Sequence, residues 1–209
     1  MKTSPRTASL CQALIFIGLA VYNFSSAKAD EAKPFGSGGE RYLRSQAQYQ
    51  LPELELTRQD GIKTQLASEL NDGRPVILNF IFTSCTAICP LLSGMMSSLQ
   101  TKLGKELDQV HMVSISIDPE YDNPERLQAY AAQFKAKSQW QFYSSNQQNL
   151  RKIQEAFDAY RGDKMNHTIT TYLRVSPNQT WVRLDGFLSS DDVHREYQQL
   201  KSQLALVAN

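Results

Sequence analysis

From residue 51 onward, short apolar runs alternate with longer stretches whose apolar positions recur every three or four residues. The run PVILNFIF (75–82) is almost continuously apolar, the pattern of a strand buried on both faces, and VHMVSISI (110–117) repeats it. Between them, CPLLSGMMSSLQTKLGKEL (89–107) carries apolar residues at helical spacing. NPERLQAYAAQFKAK (123–137) predicts a second helix, with Asn123 as N-cap, Pro124 in the first helical position and Glu125 behind it. WQFYSS (140–145) then reads as a short strand and NQQNLRKIQEAFDAY (146–160) as a helix. TTYLRVSP (170–177) and TWVRLDG (180–186) form two strands of a hairpin turning at Pro177-Asn178. DDVHREYQQLKSQLALV (191–207) closes the chain as a helix with acidic residues in its first turn. Ahead of the first buried run, LPELELT (51–57) alternates like a half-exposed strand, and GIKTQLASELNDGRP (61–75) is a polar stretch ending in a turn at Asp72-Gly73. The sum is an α/β chain: a central mixed sheet flanked by helices, with a C-terminal hairpin and helix.

The first thirty residues have a different texture. Lys2 and Arg6 precede an apolar run from Leu10 to Tyr22, and Ala27-Lys28-Ala29 supplies a small-x-small pattern. The run is short for a bilayer span, which needs about 20 residues. Residues 1–29 therefore read as a signal peptide and the protein as exported to the periplasm, or held at the inner membrane if the segment is kept. Residues 30–46, polar and Gly-rich, read as a flexible leader, and 47–209 as one domain with a sizeable core. The chain's formal charge of +1 becomes about −2 once the segment with Lys2, Arg6 and Lys28 is gone. No basic tract interleaved with aromatics is present, so nucleic acid is not an expected partner.

Of the chain's 3 cysteines, Cys11 falls in the N-terminal segment, leaving Cys85 and Cys89 in the stretch TSCTAICP. They sit where the first buried strand ends and a helix starts, the order found in thioredoxin-like folds. A helix N-terminus lowers a thiol's pKa and raises its reactivity. A fixed disulfide would close only a small loop and gain little. A redox couple is a second use, with one sulfur attacking and the other resolving. The three intervening residues widen the pair and also suit a soft metal, Cu(I) or Zn(II). Three histidines could complete such a site. His111 flanks a buried strand and reads as a packing or capping residue, and His194 lies among charged residues on the last helix. His167 lies in the loop RGDKMNHTIT, directly before a strand whose lead-in faces the cysteine corner in thioredoxin-like folds, and is the candidate third ligand. Met95 and Met96 read as core filler, and Met165 as a weak auxiliary candidate.

With these residues in place, the chain resembles the Sco/SenC family of exported copper proteins that assist assembly of cytochrome c oxidase. The resemblance covers about residues 47–203 and rests on NFIFTSCTAICP, SIDPEYDNPERLQAYAAQF and NHTITTYLRVSP in order. It implies one copper per chain, Cu(I) or Cu(II), held by Cys85, Cys89 and His167. It also implies a metallochaperone role toward a CuA-type site, with a copper-accepting client such as an oxidase subunit. The alternative it leaves open is a thiol–disulfide oxidoreductase with Cys85 and Cys89 as the redox dithiol, reducing a client's cysteines and itself reset by a thiol-reducing partner. Thr86 stands where the family often has proline, and Asn166 where it often has aspartate.

Overall fold

The computed structural model describes residues 42–177 and 179–207. The signal peptide expected over 1–29 and most of the expected leader lie outside these residues.

In chain order the elements are β1 (Tyr42–Ala47), β2 (Glu55–Arg58), β3 (Lys63–Gln65), α1 (Leu66–Leu70), β4 (Val76–Ile81), α2 (Ile88–Leu103), β5 (His111–Ser116), α3 (Pro124–Gln133), β6 (Trp140–Ser144), α4 (Gln147–Ala156), β7 (Thr170–Arg174), β8 (Trp181–Gly186) and α5 (Ser190–Val207). Two 3-10 turns, Gly104–Gln109 and Lys164–Asn166, follow α2 and precede β7. The strands form one eight-stranded sheet in the order β1-β8-β7-β4-β5-β6-β2-β3. β4, β5 and β6 run parallel, and β7 and β8 join antiparallel beside β4. This is the mixed α/β, thioredoxin-like architecture that the sequence pattern predicts, hairpin included.

Every residue of β4 and β5 is buried, which accounts for their unbroken apolar runs. α2 and α3 lie side by side: the Ser93 and Tyr130 hydroxyls share a hydrogen bond of 2.9 Å, and the Ser97 hydroxyl donates to the Phe134 carbonyl at 2.7 Å. Asn123 caps α3 by accepting from the Arg126 amide at 2.9 Å, as its sequence predicts.

Two parts differ from the sequence reading. Tyr42–Ala47, all but its last residue inside the stretch read as leader, is a strand paired with β8 along its whole length. Its polar side chains hide it, because an edge strand is held by backbone bonds and needs few apolar residues. Its anchors are polar as well: the Tyr42 hydroxyl and the Arg44 guanidinium both donate to Glu196 of α5, each at 2.9 Å. The polar stretch 61–75 also contains β3 and the short helix α1, whose buried residues Leu66 and Leu70 stand one helical turn apart.

An aromatic cluster lies on one face of the sheet. Phe157, at the end of α4, packs its ring 5.9 Å from Phe80, 5.2 Å from Tyr172, 5.3 Å from Trp181 and 5.0 Å from Tyr49. Its carbonyl accepts from the Tyr172 hydroxyl at 3.0 Å. These contacts clamp β4 to β7 and β8 under the cysteine corner. Truncating a fully buried aromatic removes its burial and leaves a cavity, so Phe157→Ala should lower the unfolding free energy by about 3–5 kcal/mol in urea titrations. A loss under about 1 kcal/mol would mean that the cluster does not hold these strands together.

Candidate metal centre

The corner is built where β4 stops and α2 starts. The Cys85 amide donates to the Phe82 carbonyl at 3.2 Å, closing a turn at the end of the strand. Three residues later α2 begins, with Cys89 in its first turn and fully buried. Cys85 is half-buried, ahead of the helix, and its sulfur accepts from the Cys89 amide at 3.5 Å. The first thiol thus faces the helix N-terminus from outside while the second lies inside it.

That difference separates their acidities. Burial works to raise the pKa of Cys85, but the amides of Cys89, Ala87 and Ile88 outweigh it and bring the thiol below its ordinary value. Burial pushes Cys89 up to about 12, the Phe82 backbone opposing only in part and the neighbouring Cys85 sulfur adding to the rise. Both cysteines are free thiols.

His167 arrives at this corner through the sheet. β4 and β7 pair antiparallel, with Asn79 opposite Thr171 as the last pair. The segment that leads into β7 therefore enters at the end of β4 from which the Cys85 loop departs. The His167 ring nitrogen Nε2 lies 3.0 Å from the Phe80 carbonyl. A carbonyl only accepts, so Nε2 carries the proton and Nδ1 keeps its lone pair. Nδ1 is buried and has no hydrogen-bond partner. Burial, aided by the positive charge of Arg161 and opposed by the Phe80 carbonyl, lowers the His167 pKa and keeps the ring neutral. A neutral imidazole with one nitrogen tied to a backbone carbonyl and the other bare is the form in which histidine binds metals. As the side chains stand, no three His, Cys, Asp or Glu residues among the described ones are close enough together to hold a metal ion.

The loops around the corner are tied by two buried carboxylates that sequence reasoning recognised as a motif without assigning them a role. Asp118 and Asp122 are 3% and 1% exposed, on the loop after β5. Asp122 accepts from the Thr83 amide at 3.0 Å, from the Thr83 hydroxyl and from the Ser116 hydroxyl at 2.6 Å. Asp118 accepts through one oxygen from the Ser84 hydroxyl at 3.2 Å and from the Lys164 ammonium at 2.5 Å. The two residues immediately before Cys85 are therefore held by the loop after β5. The spacing of these aspartates, one helical turn apart around Pro119, is visible in sequence, but their partners are not.

The other candidates lie elsewhere. His111 is buried with both ring nitrogens engaged, Nδ1 at 3.1 Å from the Glu69 carbonyl and Nε2 at 3.2 Å from Gln141. His194 is on α5 beside Gln198. Met95 and Met96 are buried in the core, and Met165 is 76% exposed on the His167 loop.

Comparison with known proteins identifies the family. The SCO1/SenC family model matches residues 44–202. The SCO1 protein homolog of Bacillus subtilis is 32% identical over 112 residues, covering 53% of this chain and 57% of its own length. The chain thus spans little more than half of that relative. Among solved structures, BsSco, a member of the Sco family of cytochrome c oxidase assembly proteins in which a disulfide switch was identified, is 27% identical with a TM-score of 0.62, covering 76% of this chain and 96% of BsSco. Copper-bound ScoI of Bradyrhizobium japonicum is 25% identical with a TM-score of 0.53, covering 60% of this chain and 83% of its own. With a family match running through nearly all the described residues, over the strand, the cysteine corner and the histidine loop alike, the chain belongs to the SCO1/SenC family.

Proposed function

We propose that this protein is an exported metallochaperone that binds one copper ion through Cys85, Cys89 and His167 and passes it to a copper-accepting client. Its role would be assembly of the CuA-type site of cytochrome c oxidase or of a related copper enzyme. The observation that carries this reading is the bare, buried Nδ1 of His167 on the loop that the β4–β7 register brings beside the cysteine corner. A buried nitrogen lone pair without a partner is costly to a fold unless something binds it. Two thiolates and an imidazole form a soft donor set that suits Cu(I). Copper bound to the related ScoI supports the choice of metal, and the oxidase-assembly description of BsSco supports the choice of client. The N-terminal segment supports export, with the copper loaded and delivered in the periplasm.

Delivery needs a site that an incoming ligand can reach. Cys85, half-exposed, gives a client thiolate access to the metal, while Cys89, fully buried, anchors it from within. The uncharged imidazole is the natural first ligand to leave as a client sulfur arrives, so copper would pass by stepwise exchange.

A second reading is favoured by the acidity split. Cys85, reachable and the more acidic thiol, could attack a client disulfide, forming a mixed disulfide and releasing one client thiolate. Cys89 would then lose its proton and attack the Cys85 sulfur, freeing the second client thiol and leaving a Cys85–Cys89 disulfide. The two electrons given to the client must be restored by an external thiol reductant. Both roles start from the same reduced dithiol.

Two measurements bear on these readings. In competition with a Cu(I) chelator, His167→Ala should weaken copper binding by at least the ~10–100-fold that loss of an outer-shell partner costs at metal sites, with thiol exchange retained. Affinity and stoichiometry that survive the substitution would remove His167 from the site. Alkylation by iodoacetamide followed by peptide mass mapping should modify Cys85 first. Thiolate is the reacting form, so the lowered pKa moves the midpoint of the Cys85 rate curve to lower pH than that of an ordinary thiol. Cys89 should stay unreactive at neutral pH and gain reactivity only towards pH 12. Equal labelling of both at pH 7 would contradict the asymmetry.

A further inference from the structure

The loop that carries His167 has a second attachment to the cysteine corner, made by a residue three positions before it. The Lys164 ammonium donates to Asp118 Oδ2 at 2.5 Å, and the same oxygen accepts from the Ser84 hydroxyl at 3.2 Å. One buried carboxylate oxygen therefore joins the histidine loop to the residue immediately before Cys85. The Lys164 ammonium also stands 5.8 Å from the centre of the Phe82 ring, whose backbone carbonyl receives the Cys85 amide.

The electrostatics make this contact a strong one. Asp118 and Asp122 are both buried and lie one turn apart on a single loop. Asp122 is satisfied by two hydroxyls and an amide. Among the described residues, Lys164 makes the only ion pair recorded for either carboxylate. Its side chain is 41% exposed against 4% for Asp118, so the cation comes from the solvent side and the anion from the buried loop. The loop end is shaped to present it: Gly162 turns the chain at a φ of 80°, and Asp163 caps the short 3-10 turn by accepting from the Met165 amide at 2.7 Å. His167 follows directly, its amide donating to the Lys164 carbonyl at 3.1 Å. A displacement of Lys164 is therefore passed to His167 through one backbone hydrogen bond.

We propose that Lys164 is a positioning residue, a latch that pins the His167 loop to the Cys85 loop through the shared Asp118 oxygen and so sets how often the imidazole leaves the corner. The copper half of this proposal rests on the reading of Cys85, Cys89 and His167 as the ligands; the latch itself does not. When the latch opens, the His167 ring keeps its hydrogen bond to the Phe80 carbonyl but the loop loses its tie to the Cys85 side of the corner, and the third ligand is lost more often. Copper leaves faster, with no change in how much is bound.

The test is amide hydrogen exchange on the metal-free, reduced protein, comparing wild type with Lys164→Met and Lys164→Arg. The methionine variant should raise exchange at Met165, Asn166 and His167 by about tenfold or more, the scale of a charge-assisted hydrogen bond to a buried group. Amides of β8 and α5 should be unaffected, and the arginine variant should restore protection. On the copper-loaded protein, release of Cu(I) to bathocuproine disulfonate should quicken by a similar factor in Lys164→Met, with one copper per chain retained and the arginine variant again near wild type. Unchanged loop exchange, or an increase spread evenly over the whole domain, would overturn the latch; raised loop exchange with unchanged copper release would overturn the copper half of the proposal. A protein that takes up no copper would instead overturn the metallochaperone reading, while the metal-free exchange still decides whether the latch exists.

Discussion

The antiparallel pairing of β4 with β7 is the constraint on which the rest depends. It sets the end of one central strand beside the start of another, so that the loop with Cys85 leaves the sheet at the end where the loop with His167 enters it. Because successive residues of a strand point to opposite faces, the register also fixes which side chains accompany them. Leu78, Phe80 and Tyr172 share a face, and the aromatic cluster around Phe157 fills it. A slip of one residue would turn Tyr172 away from Phe80 and the aromatic cluster and carry His167 away from the Phe80 carbonyl. Core packing and placement of the functional loop are therefore one requirement.

On that base the corner divides its work between a fixed half and an adjustable half. Cys89 is fully buried in the first turn of α2, and its high pKa follows from that burial. Cys85 sits outside the helix and gains the stabilisation of its amides. His167 is held by a backbone carbonyl on one nitrogen and left open on the other. A site built to keep its metal would enclose all its ligands. One built to pass the metal on needs an anchoring ligand, an accessible ligand and one that can leave; on the proposed reading Cys89 would be the first, Cys85 the second and His167 the third.

Much of this was legible in the sequence for identifiable reasons. β4 and β5 announce themselves because strands buried on both faces must be apolar throughout. The cysteine pair is legible because its position between a buried strand and a helix carries chemical meaning by itself. The C-terminal hairpin is marked by two apolar runs around Pro177-Asn178. β1 was not legible, since an edge strand held by backbone bonds and by Glu196 looks like polar leader. α1 is too short to show a period, although Leu66 and Leu70 at one-turn spacing hint at it. Asp118 and Asp122 stand in a visible motif, but their burial and their hold on Thr83 and Ser84 come from a loop nearly forty residues away. The Lys164 contact leaves no sequence signal, because a lysine in a polar loop is ordinarily solvated.

Whether two sulfurs and one histidine nitrogen form a single copper site can be read from copper K-edge X-ray absorption on the Cu(I)-loaded protein. The expected first shell holds two sulfurs and one nitrogen, with the nitrogen contribution lost in His167→Ala. A sulfur-only shell, or a spectrum that the substitution leaves unchanged, would contradict it.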